Sequence, residues 1–312
     1  MTKIIEARLT DEFIGFAEIP GIIHSKFHTV LNILFRMPAG GSKLITIITP
    51  GIKGIPDSIT VTEEYFARIS LLPVGSGLLC KNLNICFESI SETLKGNIQC
   101  LRKSGLVIKC SAEKTLSPPS FRRFFEGLGA YSIKNCRNNG FSVWGFQRKN
   151  QIALDLQTFG KAWLDHDIAG METMLLKNIG LGIGLTPSCD DAFLGMIAVY
   201  SAAKLYADAP VEIKKKELSC WKDLPVMGSV TPFTKLLFNR TTDVSLKYLC
   251  CSQEGRFSDA VIDLMRAIFS ETGENLETCI ESVSLVGESS GMDMLFGTEI
   301  ACRILGKSID LC

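Results

Sequence analysis

From about residue 40 to 160 the apolar and polar positions mostly alternate. KLITIIT, DSITVT, SGLLCKNLNICFES, GNIQCL, GLVIKCSA, GFSVWGF and QIALDLQ each read as strands, separated by Gly, Asn, Pro and Ser clusters. One helix interrupts them, where SPPSFRRFFEGLGAY offers a Ser and prolines near a helix start and a Gly towards its close. Beyond about 165 the period lengthens, and Phe257, Val261, Leu264, Met265 and Ile268 fall on one helical face. The pattern predicts an α+β protein, with a β-rich N-terminal half, sheet or barrel, followed by a mainly α-helical C-terminal half. The period changes within 156–170, which places the expected domain boundary there and gives domains 1–160 and 161–312. Asp165-His166-Asp167 in that segment reads as a polar inter-domain turn in preference to a metal or acid–base group. The Lys214 to Lys216 run reads as a solvated face.

Composition narrows the function classes. Of 312 residues, 46% are hydrophobic and 21% charged, with Lys+Arg 33 balancing Asp+Glu 33, so no global field favours nucleic acid. Mean hydropathy is high at +0.22. Even so, apolar runs such as FLGMIAVYSAAKLYA fall short of the roughly 20 residues that span a bilayer, and no membrane partner is expected. MTKIIEARLTDEF carries charges throughout and lacks an apolar signal core, so a cytoplasmic location is expected. The 12 cysteines form no C-x-x-C pair and there are 3 histidines, which argues against zinc and for reduced, buried thiols. Cys189 is the exception, because a thiol at a helix N-terminus has a lowered pKa.

Candidate chemistry gathers at GLGIGLTPSCDDAFLG, residues 180–195. Glycine-rich loops that open helices usually hold anions, yet Asp190 and Asp191 stand at this one. No Walker motif or dinucleotide fingerprint accompanies it. The motif recurs: Ser188, Asp191 and Gly195 overlay Ser290, Asp293 and Gly297 of SGMDMLFG at identical spacing, and each copy follows a glycine, Gly184 or Gly287. Ser-x-x-Asp is close to a capping box, with Ser188 at the N-cap and Asp191 at N3. Asp190 is then additional and is expected to point toward the loop. Gly195 and Gly297, one turn further on, mark a close approach by another helix or a ligand. If the two helix starts share a cleft, they offer amide donors, the hydroxyls of Thr186, Ser188, Ser289 and Ser290, and the carboxylates of Asp190, Asp191 and Asp293. Such a set fits a carbamoyl or ureido group. A Mg2+ ion bridging the aspartates to phosphate is a second possibility, leaving the cofactor unknown.

GLGIGLTPSCDDAFLG also resembles the signature of the AllH-type subunit of oxamate carbamoyltransferase: a Gly-rich lead, Leu-Thr-Pro-Ser, a small residue and Asp-Asp. Further blocks agree with that family, namely GIIHSKFHTVLNI followed by KLITIITPGIKGIPDSITV, then NRTTDVSLKYLCCSQEGRFSDAVIDLMRAI, and LVGESSGMDMLFGTEIACRIL. The blocks cover the N-terminal quarter and most of the second half. Ile183 and Cys189 depart from the pattern, where the family often has proline and usually glycine, and Cys189 adds a side chain beside the expected pocket.

The resemblance implies a multi-subunit enzyme that splits oxalurate with phosphate into oxamate and carbamoyl phosphate, at the end of anaerobic allantoin breakdown, with other subunits needed as partners. Under that reading Gly184, Thr186, Ser188, Ser289, Ser290 and the helix-start amides take carbonyl or phosphate oxygens. Asp190, Asp191 and Asp293 take the NH2 group or a metal. Arg240, in NRTT, is a candidate clamp for phosphate or the oxamate carboxylate, beside the plain reading of a surface arginine. His24, with Ser25 in the GIIHSKF block, is a candidate acid–base or phosphate contact. His28 would lie one turn beyond His24 in a helix, but two rings without a third ligand do not make a metal site. Two other readings stand beside this one. The chain could be a non-catalytic assembly subunit whose helix starts are structural corners. A hydrolase with Ser188 or Cys189 as nucleophile is the third, and it lacks a neighbouring histidine in sequence.

Overall fold

The computed structural model describes residues 18–81, 84–87, 93–94, 121–135, 146–207, 225, 230–269 and 275–309. The segments GNIQCL and GLVIKCSA, most of GFSVWGF and the Lys214 to Lys216 run lie outside those residues. The chain divides into two compact units, 1–104 and 105–312. Residues 160 and 161 lie inside a helix of the second unit.

In the first unit, β1 (Glu18–Lys26), β2 (Val30–Arg36), β3 (Ser42–Ile48), β4 (Ser58–Thr60), β5 (Gly77–Lys81), β6 (Asn84–Phe87) and β7 (Thr93–Leu94) form one sheet. The strand order is β4-β3-β2-β1-β5-β6-β7, antiparallel except for the β3–β4 pair. The sequence pattern marks strands only from about residue 40; β1 and β2 precede it, and their Ile19, Ile23, Leu31, Ile33 and Phe35 turn inward. Helix α1 (Glu63–Ser70) packs Phe66 and Ile69 into the same core, and its N-cap Thr62 accepts the Tyr65 amide. Lys26 ties the two together by donating to the carbonyls of Ser70 and Leu72, at 2.9 and 3.0 Å.

The second unit is helical: α2 (Phe121–Asn135), α3 (Phe146–Leu164), α4 (Ile168–Asn178), α5 (Ser188–Ala207), α6 (Phe233–Leu236), α7 (Asp243–Gln253), α8 (Asp259–Phe269), α9 (Leu276–Ser284) and α10 (Ser290–Ile309). QIALDLQ is not a strand but part of α3. Its short alternation of Ile152, Leu154 and Leu156 misleads, because the longer register of Ile152, Leu156, Phe159 and Trp163 is helical, and Leu154 is left exposed. Asp165-His166-Asp167 is a turn within this unit, where Asp167 caps α4 by accepting the Gly170 amide at 2.9 Å.

Helix α5 is buried almost all round, which makes it the axis of the core. Trp163 stacks on its Tyr200 with ring centroids 4.6 Å apart. Its closest neighbour is α10, and the two motif glycines explain why. A Cβ on Gly195 would lie 2.0 Å from the Met294 carbonyl oxygen, and one on Gly297 would lie 1.9 Å from that of Ala192. Gly195 and Gly297 are equivalent in the repeat, as are Ala192 and Met294, so the contact is reciprocal. The close approach predicted at these glycines is helix on helix.

Candidate functional site

The glycine loop 180–187 delivers the chain into α5. Gly180 and Gly182 have φ of 82° and 138°, and a Cβ on either would strike backbone, the Arg240 carbonyl or the Ser188 nitrogen, at 2.2 Å. The carbonyl of Pro187 accepts the Asp190 and Asp191 amides at 2.9 and 3.2 Å. The cap is therefore Pro187, not Ser188, and Asp191 lies one position deeper than a capping box places it. In α10 the same shift occurs, since Ser289 offers its carbonyl to the Asp293 amide at 3.0 Å. Two helix-start amides are already used: Cys189 donates to Leu181 and Gly291 to Val286, at 3.0 and 2.9 Å.

The two helix starts meet. Thr186 and Ser290, both partly exposed, bring their hydroxyl oxygens to 2.7 Å across 104 positions of sequence. Both hydroxyls hydrogen-bond with the Asp191 carboxyl. Asp191 is 2% exposed and its Oδ2 has no hydrogen-bond partner. Burial pushes this carboxyl well above the usual carboxylate range, and the charges of Asp293 and Asp190 add to the rise against the hydroxyl contacts. Asp293 is itself completely buried on α10.

Asp190 has a different environment. Its Oδ1 accepts the Gly180 amide at 2.7 Å, which is the loop-side orientation expected. Its Oδ2 accepts the hydroxyls of Ser245, at 2.5 Å, and Thr241. Burial raises its carboxyl, and these bonds from Ser245, Thr241 and Gly180 draw it back down. Asp190 thus pins the glycine loop to the start of α7. Thr242 completes the pin by capping α7 through the Ser245 amide and donating to the Leu185 carbonyl. Thr241, Thr242 and Ser245 went unnoticed in the sequence, although Thr-Thr-Asp-x-Ser is a legible helix start. Arg240 beside them is exposed, with its carbonyl against Gly180.

The remaining candidates separate. Ser188 is buried, Ser289 is half-buried and Gly184 is exposed at the loop tip. Cys189 is completely buried, and burial, then Asp190 and Asp293, push its thiol up, contrary to the lowered value expected. Desolvation outweighs the helix end there. His24 and Ser25 lie in the first unit on β1, where the ladder shifts register between Ile23 and Ser25. Asn32 donates to the Ser25 hydroxyl at 3.0 Å, and His24 Nδ1 lies 3.2 Å from it. This segment is a strand, so His28 is not one helical turn from His24; it is exposed in the β1–β2 turn. Among the described residues no group of three His, Cys, Asp or Glu side chains is placed to hold a metal ion. Among them, too, no helix is long and apolar enough to cross a membrane.

Residues 178–302 match the family described as oxamate carbamoyltransferase subunit AllH. Over this span the chain is similar to AllH-type subunits. The AllH match opens just before the glycine loop and closes within α10, so it encloses both helix starts and the NRTT turn. The GIIHSKF block precedes it. No solved structure matches the chain.

Proposed function

We propose that this AllH-type chain binds oxalurate as a subunit of an oxamate carbamoyltransferase-like complex, in which phosphate splits it to oxamate and carbamoyl phosphate, a reaction of allantoin breakdown. The observation that carries the reading is the contact between Thr186 and Ser290, which joins the two repeated helix starts in front of a buried acid. The reaction needs the ureido carbonyl polarised, a phosphate oxygen held in line with it, and the departing amide nitrogen protonated. The paired hydroxyls meet the ureido group. We assign the anionic end of the substrate to Arg240, which is exposed beside the glycine loop, and the rest of the site to partner subunits.

The test is co-expression with the partner subunits and an assay for carbamoyl phosphate formed from oxalurate and phosphate. The wild-type assembly turns over, and Thr186→Val with Ser290→Ala abolishes turnover without dissociating the complex. Full activity in that double variant overturns the assignment. A second reading, an assembly subunit without chemistry, is favoured by one observation: Asp190 is satisfied by protein donors on both oxygens, as a structural pin would be. Titrating oxalurate, oxamate and phosphate into the full chain separates the two, since the assembly reading expects no binding that depends on Thr186 and Ser290.

A further inference from the structure

The oxygens of Thr186, Ser290 and Asp191 form a closed triangle of three hydrogen-bond contacts. Each contact needs one proton between its oxygens. Thr186 and Ser290 bring one hydroxyl proton each, which covers two sides. We infer that Asp191 is a neutral carboxylic acid in the resting protein, its own proton closing a ring in which Asp191 donates to one hydroxyl, that hydroxyl to the other, and the second back to Asp191.

Two further observations agree with the proton count. Asp191 Oδ2 is buried without a partner, and an orphaned carbonyl oxygen of a neutral acid is far less costly there than half of a bare carboxylate. Asp190, next along the same helix, shows the opposite arrangement: three donors converge on it and leave no acceptor for a proton of its own. The titratable groups that act on Asp191 are Asp293 from α10 and Asp190 from its own helix, and both favour the neutral form.

This changes what the site can offer a ligand. A neutral Asp191 donates a proton through the hydroxyl pair and lacks the charge that would hold a cation, so Asp191 is a positioning and proton-supplying residue behind Thr186 and Ser290. The step rests on the oxalurate reading. A phosphate oxygen forms a bond to the ureido carbon, the C–N bond to the oxamate half breaks, and its electron pair goes to nitrogen. That nitrogen takes a hydroxyl proton from the pair, Asp191 replaces it, and the proton of the incoming hydrogen phosphate returns to Asp191.

The experiment is infrared difference spectroscopy on the purified full chain at neutral pH. The wild type gives the carbonyl stretch of a protonated carboxylic acid, shifted in D2O. That band is absent in Asp191→Asn and retained in Asp190→Asn. Ser290→Ala opens the ring, so the carbonyl band moves to the higher frequency of a less hydrogen-bonded acid; this variant also serves if Asp191→Asn fails to fold. A wild type without the band, a band that survives Asp191→Asn, or a Ser290→Ala band at the wild-type frequency overturns the inference. Activity of Asp191→Asn in the assembled complex is read separately. If the band behaves as expected but turnover is unaffected, the ring stands and the catalytic reading falls.

Discussion

Replacing Gly297 by alanine tests the reciprocal crossing of α5 and α10. Helix propensity alone favours the change by about 1 kcal/mol, because alanine loses less backbone freedom than glycine. The structure reverses that sign. The new methyl would stand 1.9 Å from the Ala192 carbonyl oxygen, and backbone cannot swing away as a side chain can. Reaching the 3.4 Å of ordinary contact requires the helices to part by about 1.5 Å in a core with little room. Overpacking of this kind costs about 3 kcal/mol at the upper end of its usual range, leaving a net loss of about 2 kcal/mol. In a unit spanning 105–312 that corresponds to a fall in Tm of about 4–8 °C. Gly129→Ala is the control, since its helical Cβ meets nothing within 4 Å and the propensity gain should survive. Differential scanning calorimetry of both variants decides. Equal, small rises in Tm would refute the close crossing and with it the geometry that brings Thr186 to Ser290.

Other consequences are equally open to measurement. Asp191 keeps its proton on folding to a higher pH than the unfolded chain, whose aspartates ionise near 3.8. Above that pH the folded state therefore binds more protons, and stability falls by up to about 1.4 kcal/mol per pH unit until the folded group ionises. Asp191→Asn lacks this slope, so urea unfolding from pH 4 to 8 should show the variant gaining on the wild type as pH rises; parallel curves contradict the shift. Asp190→Ala strips the acceptor from three donors and should cost about 3 kcal/mol or more, read from the urea midpoint, with a loss under about 1 kcal/mol arguing against the pin. Cys189 should resist iodoacetamide in the native chain and react once unfolded, as peptide mapping would report; native alkylation would mean that the helix start is open.

The class of fold was legible because local pattern carries it. Alternation in β5 and the register of α8 follow from a sheet and a helix that each bury one face. QIALDLQ was misread because seven residues are too few to separate a period of 2 from 3.6 when Ile152 and Leu156 satisfy both. The repeat itself was visible, as were the glycines that let α5 and α10 touch. Which aspartate is satisfied was not. Asp190 finds its partners in Thr241 and Ser245, more than fifty positions away, and only tertiary packing brings them to it. Cys189 failed for a related reason: sequence shows the helix end that lowers a thiol, while burial, which raises it, is set by the whole core.

The contact between Thr186 and Ser290 also bears on the order in which the chain acquires its structure. A span of 104 positions must be closed before the two hydroxyls can meet, and the entropy of that closure is recovered only when α5 and α10 lock at their glycines. The pair is therefore a late event in folding, formed after helices of shorter reach have docked. Substitutions at Ser290 should then leave the rate of refolding nearly unchanged and appear almost wholly in the rate of unfolding. The chemistry of the chain would arrive last, and would be the first thing lost when the C-terminal helix lets go.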